Sequence, residues 1–267
     1  MTDTSWEPAS SWYKESVNIK GNYYHQHIVI PKSLELLSLD AASTLLDLAC
    51  GQGILSRSVP PIKKYLGIDT AQSLIDYAVT NNTLSYHNFK VADVSKPLAL
   101  TEKFSHASLI LAIQNIKDII GVIKNAGKFL TDGGKFVIAL NHPAFRIPKY
   151  TSWDINYNAN SQARRIEKYM SPLESSIDIN PSRGISSQKI YGFHHPISFY
   201  SKILKDCGFV TVEIQEWISD KKSVGKHAKM ENESRLEFPL FMAILAKKSR
   251  DNDPRLDSPR GPKTSTD

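Results

Sequence analysis
Cysteine is scarce in this chain: 267 residues contain two, Cys50 and Cys207. Neither stands in a metal-ligand spacing, and two distant cysteines make no disulfide framework, so the sequence fits a reducing cytoplasm with no structural metal. Long apolar runs are missing, and nothing approaches the length of a membrane span. The polar opening "MTDTSWEPASSW" lacks the apolar core of a secretory signal. A concentrated basic segment is missing as well. Lys and Arg outnumber Asp and Glu by 33 to 27, a net charge of +6 with an isoelectric point of about 9.1, yet the cations are scattered. Several lie in the final stretch "KKSRDNDPRLDSPRGPKTSTD". The excess therefore reads as solvated surface rather than a nucleic-acid footprint. The tail, 249–267, is polar and proline-rich and is expected to be disordered. The chain as a whole, 41% hydrophobic and 22% charged, suits one globular domain with room for a lid.

One stretch carries chemistry: "LLDLACGQGILS", residues 45–56. Thr44 to Leu48 reads as a short buried strand that carries an acid, Asp47. Ala49-Cys50-Gly51-Gln52-Gly53 is a turn of small residues, where backbone N–H groups can approach a ligand closely. Residues 54–59 are expected to open a helix that Pro60-Pro61 stops. Strand, glycine turn and helix form the first half of a Rossmann-type unit. A dinucleotide site would need a further glycine where Ser56 stands.

Strands and helices then alternate. "KYLGID", Lys64–Asp69, ends a second strand on Asp69, followed by a helix with Leu74, Ile75 and Ala78 on one face. Residues 88–94 predict a third strand ending near Asp93, and the apolar 107–116 a central fourth. Ile119, Val122, Ile123, Ala126 and Leu130 repeat at helical spacing before "KFVIALNH" makes a fifth strand. The alternation predicts an α/β fold, a Rossmann-like parallel sheet with helices on both faces. Residues 143–192 show little apolar periodicity and read as an insertion, long for a connection. "ISFYSKILKDCGF" is an amphipathic helix. "FVTVEIQEW" and "FPLFMAILAKK" are two final strands, expected to pair antiparallel across a polar loop without a helix between them.

These motifs resemble the class I S-adenosylmethionine-dependent methyltransferases over residues 44–248. In that family a seven-stranded sheet ends in an antiparallel strand pair, and an acidic residue precedes a G-x-G-x-G turn. Here Ala49 replaces the first glycine. The resemblance implies S-adenosylmethionine as cofactor. It implies that Asp47, Ala49, Gly51 and Gly53 organise the methionine end, that Asp69 with Thr70 takes the ribose, and that Asp93 and Val94 flank the adenine. Two carboxylate oxygens suit two ribose hydroxyls. It further implies an N-terminal helical cap over 1–40, from which Tyr24 or His25 reaches the donor or substrate, and a methyltransferase domain over 41–248. The insertion at about 143–192 is the expected lid, walled by Phe145, Tyr150, Trp153, Tyr157 and Tyr169, with 23–27 opposite.

Methyl transfer to a hydroxyl wants alignment, dryness and a base. Histidine titrates in the useful range; His142 and His194 lead, followed by His25 and His195. Arg146 is a candidate to pair with an anionic substrate. Residues 113–116 lack the Asn/Asp-Pro-Pro-Tyr/Phe motif of many base-amine methyltransferases. Neither cysteine fits a cytosine-directed nucleophile, and only Asp118 and Asn141 stand where metal-dependent relatives carry acids. A small organic acceptor is therefore expected, methylated on a hydroxyl oxygen or else on nitrogen or carbon, with no metal and no membrane. An RNA-directed methyltransferase, a nicotinamide-dependent Rossmann oxidoreductase and a donor-binding module without catalysis are the alternatives.

Overall fold
The computed structural model describes residues 6–178 and 189–250. Helix α1 (Ser10–Val17) is followed by a π-helical turn, His25–Val29, that runs into α2 (Ile30–Leu37). β1 (Thr44–Leu48) leads through the glycine turn to one 3-10 turn, Leu55–Arg57, then β2 (Lys64–Asp69), α3 (Gln72–Thr80) and β3 (His87–Val91). β4 (Phe104–Ile110) is followed by another 3-10 turn, Ile113–Asn115, before α4 (Ile119–Phe129) and β5 (Leu130–Asn141). The insertion contributes β6 (Thr151–Asn156), β7 (Ser161–Ile166), β8 (Leu173–Asp178) and β9 (Lys189–His194). α5 (Ile197–Asp206), β10 (Phe209–Trp217), α6 (Ala228–Glu237) and β11 (Phe241–Lys248) complete the chain.

The main sheet has the order β10-β11-β5-β4-β1-β2-β3. β1 to β5 pair in parallel, whereas β11 is antiparallel to both β5 and β10. Alternate residues of the central strands feed opposite faces, as the pleat requires. Leu46, Leu48, Ile138 and Leu140 pack with α4 and α5, against Val122, Ile123, Ile203 and Leu204. Leu45, Val137 and Ala139 pack on the other face with Ile28, Val29 and Leu37 of the N-terminal helices. Each fully buried Leu or Ile contributes about 1.5–3 kcal/mol to this two-sided core. The strand order reverses at β1, with β4 on one side and β2 on the other. The crevice outside that switch point is where open α/β sheets bind ligands.

Several expectations need correction. The helix after the glycine turn is a single turn. Pro60 and Pro61 follow too closely, and Ser56 Oγ bonds back to Gly53 O at 2.7 Å. The fourth strand starts earlier and stops at Ile110, because Leu111 takes φ of +53° and bends the chain away. The loop before the last strand contains α6, whose buried residues, Met230 and Ser234, are few enough to leave a weak apolar pattern. The insertion holds two antiparallel pairs, β6–β7 and β8–β9. β6 alternates Trp153 and Ile155 with polar residues, but both apolar side chains stay exposed, so the period of two marks a surface hairpin rather than a core strand. The expected disordered tail lies, but for Ser249 and Arg250, outside the described residues. No helix among the described residues is long and apolar enough to cross a membrane.

Candidate active site
A cavity of about 1040 Å³ opens at the carboxyl ends of the parallel strands. Its floor on the β1 side is the glycine turn. Ala49, Gly51 and Gly53 all have positive φ (+55°, +55° and +73°). Gly51 has open space on its ligand side: a β-carbon there would come no nearer than 3.8 Å to the Tyr13 hydroxyl. Gly53 is different. A β-carbon would press on Ala78, Ser56 and Phe89 at 3.1–3.2 Å. The first glycine leaves room for a ligand; the second lets the turn pack on the fold.

One carboxylate holds this turn and another ties the strands beneath it. Asp69, at the end of β2, accepts from Gly51 N through Oδ2 and from Ala71 N through Oδ1, both at 2.9 Å. Its edge lines the cavity beside Thr70, and burial raises its pKa despite the amide bonds. Asp47 lies beneath, buried, and does not line the cavity. Its oxygens accept from Tyr65 Oη (2.5 Å) and Ser108 Oγ (2.7 Å), tying β1 to β2 and β4. Burial pushes its pKa up to about 6, and the two hydroxyls act against that rise. Past β3, Asp93 Oδ1 accepts from Ser95 N (2.8 Å) and Ser95 Oγ (2.7 Å), with buried Val94 beside it; both line the cavity.

The N-terminal segment roofs this half. Trp6, Trp12, Tyr13 and Ser16 line the cavity, and Trp6 packs edge-on against Tyr13 at 5.2 Å. The Glu7 carboxylate takes the Ser73 amide at 3.0 Å and also its hydroxyl, fastening the segment to the start of α3. Reading the opening as merely polar missed these residues. The aromatic cluster in "SWEPASSWY" was the available signal.

The other half is built from the ends of β4 and β5 and from β9. Leu111, Gln114, Asn115, Asn141, Pro143, Arg146, Ile190, Phe193 and His194 line it, with Asn22 and His25 facing from the π-helical side. Leu111, a bulky residue at positive φ, is the kind of backbone outlier that gathers at functional sites. His194 is nearly buried, and its Nε2 donates to the Tyr169 carbonyl at 2.8 Å. That bond leaves Nδ1 as the acceptor nitrogen, and burial lowers the ring's pKa. His25 is also buried and lowered, to about 4, by desolvation alone.

The remaining candidates lie elsewhere. His142 is fully buried and outside the lining. Its Nδ1 accepts from the amides of Ala144 (3.1 Å) and Phe145 (3.3 Å), and its Nε2 donates to Glu216 at 2.7 Å. Both nitrogens are occupied in shaping the exit from β5. Tyr24 Oη meets Ser219 Oγ at 3.3 Å, and its ring packs edge-on to Phe241. His195 stacks on Phe199 at 3.9 Å. None of the five insertion aromatics lines the cavity. Phe145 and Trp153 pack on Phe238, and Tyr157 on His227. Among the described residues no group of three His, Cys, Asp or Glu side chains could hold a metal ion.

A family model for the methyltransferase domain matches residues 23–214. The chain belongs to the methyltransferase family. No curated protein matches it by sequence. Among solved structures, an S-adenosylmethionine-dependent methyltransferase from Mesorhizobium loti superposes with a TM-score of 0.66 at 19% identity, over 85% of this chain and 98% of that one. One from Clostridium acetobutylicum gives 0.55 at 16% identity, over 92% and 99%. A glycopeptide N-methyltransferase solved with S-adenosylmethionine gives 0.54 at 14% identity, over 81% and 92%. The methyltransferase therefore has the Rossmann-like class I fold, whose methyl donor is S-adenosylmethionine. The family match begins at residue 23, so the aromatic roof formed by Trp6, Trp12 and Tyr13 lies outside it.

Proposed function
We propose that the methyltransferase moves a methyl group from S-adenosylmethionine to a hydroxyl oxygen of a small organic acceptor within this cavity. The observation that carries the reading is continuity. One cavity of about 1040 Å³ joins the glycine turn, Asp69 and Asp93 to a separate half that holds His194. That volume exceeds what one drug-sized ligand needs, about 300–1,000 Å³, and leaves space for an acceptor beside the donor. The donor supplies a methyl carbon already activated by its sulfonium. Ala49 and Gly51 give the backbone approach, Asp69 with Thr70 takes the ribose, Asp93 accepts from the adenine amine, and Val94 flanks the ring. Gly53 acts through the packing of the turn and Asp47 through the strands on either side of β1, without touching the donor.

His194 is the base of this scheme. Nδ1 takes the hydroxyl proton as the new O–C bond forms and the C–S bond breaks, while the bond to the Tyr169 carbonyl fixes the tautomer. His142, with both nitrogens engaged, orients the chain entering the insertion. Residues 1–40 serve as a cap over the donor. The insertion at about 143–192 serves as a lid through β9, the strand that supplies Ile190, Phe193 and His194 to the wall. The test is transfer of label from methyl-labelled S-adenosylmethionine to a panel of phenols and hydroxy acids, with total RNA as a further substrate. Label in a small hydroxyl compound, lost in His194→Gln with donor affinity unchanged, is the expected result. Donor binding with no labelled acceptor, or label only in RNA, overturns the reading.

A further inference from the structure
The acceptor half of the cavity has a one-sided charge. The acids in the lining are Asp69, Asp93 and Asp118, and each already accepts backbone amides: Asp69 from Gly51 and Ala71, Asp93 from Ser95, Asp118 from Gly121. Asp69 ends β2, and Asp93 and Asp118 follow β3 and β4. The wall built by the β5 end, the insertion and the π-helical turn contains no described Asp or Glu. It contains Arg146 instead. This guanidinium donates through Nη1 to Asn141 Oδ1 at 2.7 Å and stands over the Phe241 ring at 5.4 Å. No described carboxylate forms an ion pair with it. Nearby Arg164 bonds the Phe145 carbonyl and Thr151 Oγ1, and it too has no ion-pair partner among the described residues. Residues 179–188, which complete the insertion, contain no Asp or Glu in their sequence.

Arg146 is an exposed residue of the lining. One hydrogen bond and the Phe241 ring orient its planar guanidinium and leave most of its N–H donors open to a ligand, and with Arg164 nearby it creates a positive field at the cavity wall. Arginine in that setting matches a planar or tetrahedral oxyanion through paired N–H bonds. Asn141 aids the match. Its carbonyl oxygen is taken by Arg146, which turns the amide nitrogen into a further donor on the same wall. A cationic amine would meet only repulsion there, since the lining offers it no free acid on that side.

We propose that the acceptor is an acid, carrying a carboxylate or phosphate that Arg146 and Asn141 hold while the hydroxyl faces His194. The inference rests on the methyltransferase reading of the same cavity. It makes Arg146 a specificity-determining residue.

The test loads the full-length protein with S-adenosylhomocysteine and titrates it by calorimetry with phenylacetate, phenyl phosphate and neutral phenylacetamide. At least one anion is expected to bind about tenfold more tightly than the amide, the range of a charge-assisted hydrogen bond. Which anion wins separates a carboxylate site from a phosphate site. Arg146→Gln removes the preference without changing affinity for S-adenosylhomocysteine, and Arg146→Lys restores part of it. Equal affinity for the three compounds, binding of none of them, or an anion preference that survives Arg146→Gln overturns the inference and leaves the donor site standing. Failure of the wild-type protein to bind S-adenosylhomocysteine sinks the donor reading, and this inference with it.

Discussion

Replacing Asp69 with alanine perturbs two functions at once, and the structure allows them to be separated. The carboxylate accepts from Gly51 N and Ala71 N, each at 2.9 Å. A hydrogen bond to a charged group contributes about 1.5–3 kcal/mol. Burial disfavours the charged form here, which offsets part of that gain. The expected loss of stability is about 2–4 kcal/mol, read as a lower denaturation midpoint in urea at unchanged slope. The same oxygens are proposed to take the ribose hydroxyls, so affinity for S-adenosylmethionine should fall by about 10- to 150-fold. Part of that fall could come from a displaced Gly51 rather than a lost ribose bond. A 2′-deoxy analogue of S-adenosylhomocysteine distinguishes them. Wild-type protein should bind the parent compound more tightly than the analogue, whereas Asp69→Ala should bind both alike. Equal binding of the two by wild-type protein refutes the ribose assignment, and an unchanged denaturation midpoint refutes the structural one.

The two glycines should part company. Gly51→Ala costs about 1–2 kcal/mol, the left-handed backbone penalty, but weakens donor binding strongly; Gly53→Ala, which meets three neighbours, should cost more stability than Gly51→Ala in the same urea titration. Asp47 should impose a pH dependence on folding. Its folded pKa of about 6 lies above the usual carboxylate value, so its favourable contribution is complete below about pH 4 and is lost as pH rises through 6. The difference in unfolding free energy between wild type and Asp47→Asn should therefore shift by about 3 kcal/mol against wild type across that window; a pH-independent difference contradicts the assigned burial penalty. Burial holds His194 below the ordinary histidine value, so the acidic limb of methyl transfer should be centred below pH 6.5, and a limb centred above that pH would point to another base. Removing residues 1–17 should leave the sheet folded, as near- and far-ultraviolet circular dichroism can show, while weakening donor binding through loss of Trp6, Trp12 and Tyr13; unchanged affinity would mean that this segment only decorates the site.

The sequence by itself determined the frame of the molecule. A buried strand that carries an acid and runs into a small-residue turn has few folded solutions. Lys64–Asp69, with Asp69 at its very end, therefore appeared as a strand with the boundaries that β2 has. Leu74, Ile75 and Ala78 showed a helical face because α3 packs one side against the sheet. The antiparallel final pair was legible from two β-rich runs joined by a polar loop, though nothing local revealed α6 within that loop. The half of the cavity proposed for the donor was similarly local, because Asp69 ends β2 while Gly51 and Asp93 follow the ends of β1 and β3.

The other half of the cavity, proposed for the acceptor, was decided by tertiary structure. Histidine looks the same in sequence whether it faces a cavity or is buried in a turn. Only the fold puts Glu216 of β10 against His142 and the Tyr169 carbonyl against His194. Tyr24, Phe145, Trp153 and Tyr157 had the right chemistry for a wall, yet they pack on Phe241, Phe238 and His227. The roof came from a segment whose tryptophans have no periodic pattern. Contacts between residues distant in the chain follow from packing of whole elements, and that packing leaves no mark in local spacing. Strand ends could be read along the chain, whereas the walls around them required the folded protein.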